Sequence, residues 1–248
     1  KDDATITYLQ GADVPPWELQ SRTNAYEKYV KNPAKSSAVY YPRLTGYKRS
    51  GNQIVWERVL KIEFSAPKLV FNNNIDELAD AQFEDVVRAL HDRLGRMGIV
   101  IPTARISEMT VSAVHYSKNI ALENGYTSQY VISELHKINP NKWFDLSRAR
   151  FTNDGQSLQI YTQSHSFVIY DKIADLIRSK KRAIDRDQTP YQLSLFDQLV
   201  KRPESLEILR LEVRLSQKRK MNSLFHKLGF AQDPTFKDVF DASKSKTV

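Results

Sequence analysis

The sequence predicts an α+β fold: a mainly antiparallel sheet with helices packed on it. Three observations carry that reading. Runs with period-two alternation are joined by short polar turns, amphipathic runs of helical spacing fall between them, and no regular strand–helix–strand rhythm marks a doubly wound parallel sheet. With 248 residues, 41% of them hydrophobic and 27% charged, the chain can bury a sizeable core and is neither disordered nor fibrous.

Residues 1–37 mix Pro15, Pro16 and Pro33 with tyrosines and read as an irregular segment with one short helix; residues 38–248 read as one domain. From Ala38 to Val70 the pattern is strand-like, turning at Lys48–Gln53, and Leu60, Ile62 and Phe64 oppose Lys61, Glu63 and Ser65. Asn72–Asn74 form a loop. Phe83, Val86, Val87, Leu90 and Leu94 then mark a helix stopped by Gly95 and Gly98. Ala104–Tyr116 reads as β-rich, Thr127–His136 as a helix, and Trp143–Phe151 and Leu158–Thr162 as strands. Ser166–Tyr170 is an apolar strand running into a helix over Asp171–Arg182. Leu209, Leu211, Val213 and Leu215 alternate with Arg210, Glu212 and Arg214 in a strand, Met221–Leu228 reads as a helix, and Thr235–Phe240 as a last short one. The order strand–turn–strand–helix occurs twice, which allows two pseudo-repeated halves sharing one sheet.

Charge narrows the partner. Lys+Arg number 37 against 29 Asp+Glu, a net +8 that points to a polyanion. With no cysteine there is no disulfide scaffold, thiolate zinc site or cysteine nucleophile, in keeping with a reducing, cytoplasmic setting. No apolar run has the length of a membrane span and the first residues are no signal peptide, so no membrane is expected. Walker and dinucleotide glycine loops are absent, and the five histidines include no His-hydrophobic-His pair.

Two places stand out chemically. Glu212, between Arg210 and Arg214 on a strand's polar face, is either a salt-bridged surface group or a carboxylate that holds a divalent cation beside phosphate-gripping guanidinium groups. Glu63, between Lys61 and Ser65, repeats the theme. Tyr170 closes an apolar strand where a helix begins, followed by Lys172; a tyrosine hydroxyl there packs a strand end or attacks phosphorus.

Taken together, Tyr170-Asp171-Lys172 and the later Leu209-Arg210-Leu211-Glu212-Val213-Arg214-Leu215 resemble rolling-circle replication initiators: the phage gene II/X group and related plasmid initiators. Ile62-Glu63-Phe64-Ser65-Ala66-Pro67-Lys68 followed by Asn72–Asn74 is similar to a further motif of that group, with Phe71-Asn72 in place of a glycine step. The resemblance spans about residues 58–240. It implies a nicking-endonuclease-like fold and a nuclease that cuts one strand of a single-stranded or hairpin origin, keeping the 5′ end as a phosphotyrosine. Tyr170 is then the nucleophile, Lys172 its electrostatic helper, and Glu63, Glu108, Glu212 and His115 ligands of Mg²⁺ or Mn²⁺ on neighbouring strands of one sheet. Arg178, Lys180, Lys181, Arg182 and Arg186 after the tyrosine, and Arg210, Arg214, Lys218, Arg219 and Lys220 around Glu212, would meet DNA phosphates, a host polymerase would extend the 3′ end, and a host replication helicase is a further expected partner. The missing His-hydrophobic-His pair departs from the wider superfamily. The alternatives are an origin-binding initiator that reads duplex DNA without cutting it, a tyrosine recombinase or topoisomerase, and a nucleic-acid-binding domain without chemistry.

Overall fold

Two larger antiparallel sheets, not one, absorb the alternating runs. The computed structural model of the protein describes residues 6–9, 14–24, 26–32, 39–50, 56–138, 146–152, 155–162, 165–177, 207–241 and 243. The fold is α+β, and the chain divides into a first unit over 1–107 with 187–193 and a second over 108–186 with 194–248.

In the first unit β1 (Thr7–Tyr8) pairs with β6 (Ile99–Val100), while β2 (Glu18–Thr23), β3 (Tyr26–Lys31), β4 (Arg43–Ser50) and β5 (Trp56–Glu63) form an antiparallel meander in sequence order. Helix α1 (Ala66–Phe71) carries proline in its first turn, where a missing N–H costs no helical bond, and ends at Asn72 in the left-handed region (φ 56). Helix α2 (Phe83–Arg96) follows a 3₁₀ turn at Asp80–Gln82 and buries Val86, Val87, Leu90 and Leu94, the stripe its spacing predicts. Helix α3 (Thr103–Ser107) ends the stretch over 1–107.

Several expectations need correction here. The stretch expected to be irregular before residue 38 carries β2 and β3, because the alternation in Tyr26–Lys31 is satisfied by pairing to β4. The strand-like run stops at Glu63, since Pro67 suits a first helical turn better than a ladder position. The run from Ala104 begins as α3, and its strand starts only at Val114. Helix α2 passes through Gly95, and the chain turns at Gly98, whose φ of 75 suits glycine.

The second unit contains β7 (Val114–Leu122), α4 (Ser128–Lys137), β8 (Leu146–Thr152), β9 (Ser157–Thr162), β10 (Ser166–Asp171), α5 (Lys172–Ile177), β11 (Glu207–Leu215), α6 (Lys218–Lys227) and α7 (Phe236–Phe240). Its five-stranded sheet has the order β7-β11-β10-β9-β8 with every pair antiparallel, so β11, the last strand, inserts between β10 and the first strand, β7. The strand–turn–strand–helix order does recur, as β4-β5-α1 and β9-β10-α5, but in separate sheets.

Alternation divides this sheet into two faces. Leu158, Ile160 and Leu209 pack with Ile132 of α4, and Leu215 packs with Met221 and Phe225 of α6 and Val239 of α7. Thr127 caps α4 by accepting a hydrogen bond from the Tyr130 N–H at 3.1 Å, and Thr235 caps α7 in the same way at 3.2 Å. The other face carries the polar residues of β11, Arg210, Glu212 and Arg214, together with the buried Val168 and Ile208. Among the described residues no helix is long and apolar enough to cross a membrane.

Phe225 is fully buried in the second cluster, whereas Tyr126 is 53% exposed. Phe225→Ala is expected to lower the unfolding free energy of the second unit by about 3–5 kcal/mol. Tyr126→Ala should change it by no more than about 0.5 kcal/mol. Denaturant titration of both variants checks the contrast.

Candidate functional site

Register builds the site. Directly opposed residues in an antiparallel ladder share a face. Pairing Arg210 with Asn119, Glu212 with Ser117 and Arg214 with His115 therefore puts all six on one side of β11 and β7. On the other flank Tyr170 pairs with Arg210, Val168 with Glu212 and Ser166 with Arg214, so Tyr170 lies diagonally across from Glu212. A tyrosine side chain is long enough to span such a diagonal.

The Tyr170 hydroxyl donates to Glu212 Oε1 at 2.7 Å. Arg210 Nε stands 3.3 Å from the same oxygen, and its Nη2 donates to Ser117 Oγ at 2.6 Å. Arg214 closes on the other oxygen, Oε2, with Nε at 2.7 Å and Nη2 at 2.6 Å. The Glu212 and Arg210 side chains are 11% and 9% exposed, but Arg214 remains 32% exposed and so reaches solvent. One end of the cluster is thus enclosed and the other open.

These contacts set the protonation states. Burial alone would push the Glu212 carboxyl up, but Arg214, the Tyr170 hydrogen bond and Arg210 outweigh it and hold the group below its ordinary value. Burial, followed by the Glu212 charge, pushes the Tyr170 hydroxyl well above the usual phenol range. At neutral pH the pair is therefore a phenol donating to a carboxylate. His115, with Nε2 3.2 Å from Ser216 Oγ, is pushed down first by burial and then by Arg214, which favours the neutral ring. Lys172 opens α5 as a fully buried side chain whose ammonium lies 3.7 Å from Asp175 Oδ2, and Asp175 adds to the charge that disfavours a phenolate at Tyr170.

The structure brings together Tyr170, Arg210, Glu212, Arg214 and His115 as the sequence suggested. It does not assemble the expected carboxylate set. Glu63 lies on β5 of the four-stranded sheet, paired at the surface with Lys61 at 2.9 Å and Arg43 at 4.0 Å. Glu108 follows α3 and precedes β7, so it is on no strand. Among the described residues no three His, Asp or Glu side chains gather as a cation site. Glu212 as arranged does not fit an Mg²⁺ or Mn²⁺ ion either, because a cation on its oxygens would have to displace guanidinium groups of the same charge.

The basic residues divide similarly. Lys218 pairs with Asp233 at 2.7 Å, while Arg219 and Lys220 are exposed in the first turn of α6, which holds no acidic residue. Cations at that end oppose the helix dipole, so they are not there to stabilise the helix. Arg178, Lys180, Lys181, Arg182 and Arg186 lie outside the described residues. Sequence reasoning missed Ser117 and Asn119. The period-two run His115-x-Ser117-x-Asn119 carries them, once β7 is recognised as starting at Val114. Comparison with family models, with characterised proteins and with solved structures returns no match.

Glu212 supplies a linked pH dependence. Its folded value lies below the ordinary 4.5, so its contribution to stability is complete above about pH 4.5 and is lost as pH falls through the lower folded value. Glu212→Gln leaves Arg210 buried without its counter-charge and is expected to cost about 3 kcal/mol at neutral pH. Below pH 4 the difference between wild type and variant should shrink. Denaturant titrations across pH check both points.

Proposed function

We propose that the chain nicks single-stranded DNA through Tyr170, in the manner of a rolling-circle replication initiator. The observation that carries this reading is the Tyr170 to Glu212 hydrogen bond at 2.7 Å, with Arg210 and Arg214 holding the carboxylate. A nucleophile within hydrogen-bond reach of a base, which is itself oriented by a third group, is the arrangement such chemistry requires. The pair stands on the polar face of the sheet, where Arg214 reaches solvent.

In this reading a backbone phosphate docks on Arg214, the guanidinium that reaches solvent. Drawing it off Glu212 Oε2 removes the strongest cationic influence on that carboxylate and raises its proton affinity at the moment substrate arrives. Tyr170 Oη then forms a bond to phosphorus as its proton passes to Glu212 Oε1. The bond from phosphorus to the 3′ oxygen breaks, the 3′ oxygen takes a proton from solvent, and the 5′ phosphate remains on the tyrosine.

A second reading has its own support: Glu212 has both oxygens occupied and burial holds the Tyr170 hydroxyl protonated, which suits a nucleic-acid-binding face that performs no chemistry. The two part on a covalent adduct. A random pool of 3′-end-labelled single strands, run on a denaturing gel after incubation, should transfer label to the wild-type band. Tyr170→Phe should transfer none, and Glu212→Gln should transfer at least about a hundredfold less, the usual worth of a positioned base. Full labelling of the Phe variant moves the nucleophile elsewhere; an unlabelled wild type that still binds DNA leaves the binding-only reading.

A further inference from the structure

Helix α6 presents a face that the Tyr170 site does not use. Met221 and Phe225 are fully buried and pack with Leu215 on the apolar side of the five-stranded sheet. Helical geometry makes Ser223 the residue opposite those two. Arg219 and His226 lie to one side of Ser223, Lys220 and Lys227 lie to the other, and all five residues are exposed. This arc points away from the sheet, on the other side of it from Glu212.

The charge on the arc is unlike that of the other surface helices. On α2, Arg88 pairs with Asp85 and Arg96 with Asp92; on α4, Lys137 pairs with Glu134. Pairs within one turn of helix are how a solvated face usually carries its cations. Helix α6 has no acidic residue of its own, and its ion pair, Lys218 with Asp233, lies outside the arc. Among the described residues no carboxylate pairs with Arg219, Lys220 or Lys227. Arg219 and Lys220 also stand in the first turn, where cations oppose the helix dipole. The fold gains nothing from this concentration of charge, which points to an anionic partner.

Spacing selects the partner. Arg219 and His226 are seven residues apart, about 10 Å along the axis, and so are Lys220 and Lys227. Each flank therefore carries two donors, with a small side chain between the flanks. That pattern matches a groove with a row of phosphates on each wall. The major groove of B-DNA is about 12 Å wide and admits an α-helix. The deep, narrow major groove of an RNA duplex does not. A single strand offers one row of phosphates, and a membrane-surface helix would bring apolar residues to an arc that has none.

We propose that the outward face of α6 docks in the major groove of duplex DNA. Ser223 faces the groove floor, Arg219 and His226 meet the phosphates of one strand, and Lys220 and Lys227 meet those of the other. The inference shares with the nicking reading a polyanionic partner and needs no chemistry at Tyr170.

The test is fluorescence anisotropy of the full chain with a short fluorescein-labelled duplex of mixed sequence, over a series of salt concentrations, beside a single strand of the same length. Arg219→Gln combined with Lys227→Gln is expected to reduce the steepness of the duplex log–log salt dependence by about 1.8, the share of two phosphate contacts. Ser223→Glu sets a like charge against the groove and should weaken duplex binding by at least about tenfold. Glutamate suits a helix at least as well as serine, so the fold is not at risk. Lys137→Gln, on α4, should leave affinity and slope as in wild type. A wild type that does not bind duplex, or α6 variants with the wild-type slope, would overturn the proposal. An equal loss of slope on the single strand would assign the face to unpaired DNA instead. Displacement of the duplex by polyglutamate or phosphatidylserine vesicles as efficiently as by unlabelled duplex would assign it to an acidic protein or a membrane. The assay reads no cleavage, so these slope changes in a protein that forms no covalent adduct remove the nicking reading and leave this one standing.

Discussion

A carboxylate in the middle of a central strand, only 11% exposed, must be neutralised, and much of the second unit is arranged to do so. Glu212 meets that constraint through its own strand, where the alternation of β11 places Arg210 and Arg214 on either side of it on the same face. Removing either partner would strand a buried charge, a loss of several kcal/mol in the usual range. The constraint also ties three strands together: Ser117 from β7 steadies Arg210, and the Tyr170 hydroxyl from β10 completes the shell around Oε1. A slip of one residue in either ladder would turn these groups to the apolar side. The polar cluster thus specifies register as well as chemistry.

The apolar side makes that arrangement rigid. Ile132, Leu158, Ile160 and Leu209 under α4, and Leu215, Met221, Phe225 and Val239 under α6 and α7, fix the strands from behind. A phosphate arriving on the polar face would meet groups already in place, with Arg214 open to solvent. Preorganisation of this kind is where electrostatic catalysis draws its strength, because no reorganisation is required when charge develops.

How much of this was legible in the sequence depends on the distance over which each feature is determined. The apolar stripe of α2, the alternation of β11 and the junction of β10 with α5 are local, and each appears where the pattern placed it. The closeness of Tyr170 and Glu212 was legible only through motif likeness, yet the ladder pairing explains it physically. Partition into sheets was not legible, because alternation says which side a residue faces and nothing about which strand lies beside it. Glu63 therefore read as a companion of Glu212 although its strand belongs to the four-stranded sheet. Glu108 was misplaced for a different reason: a single turn of helix, Thr103–Ser107, is too short to announce itself against a β-rich background.

The claim at the centre of this account is that the Tyr170 oxygen forms the bond to phosphorus. Peptide mapping by mass spectrometry reads that bond directly. After incubation with single-stranded DNA and nuclease trimming, trypsin releases Phe151–Lys172, whose two tyrosines are Tyr161 and Tyr170. The account predicts a nucleotide-sized mass increment on this peptide, with fragmentation assigning it to Tyr170. An increment on Tyr161, on a tyrosine of another peptide, or on none would contradict it.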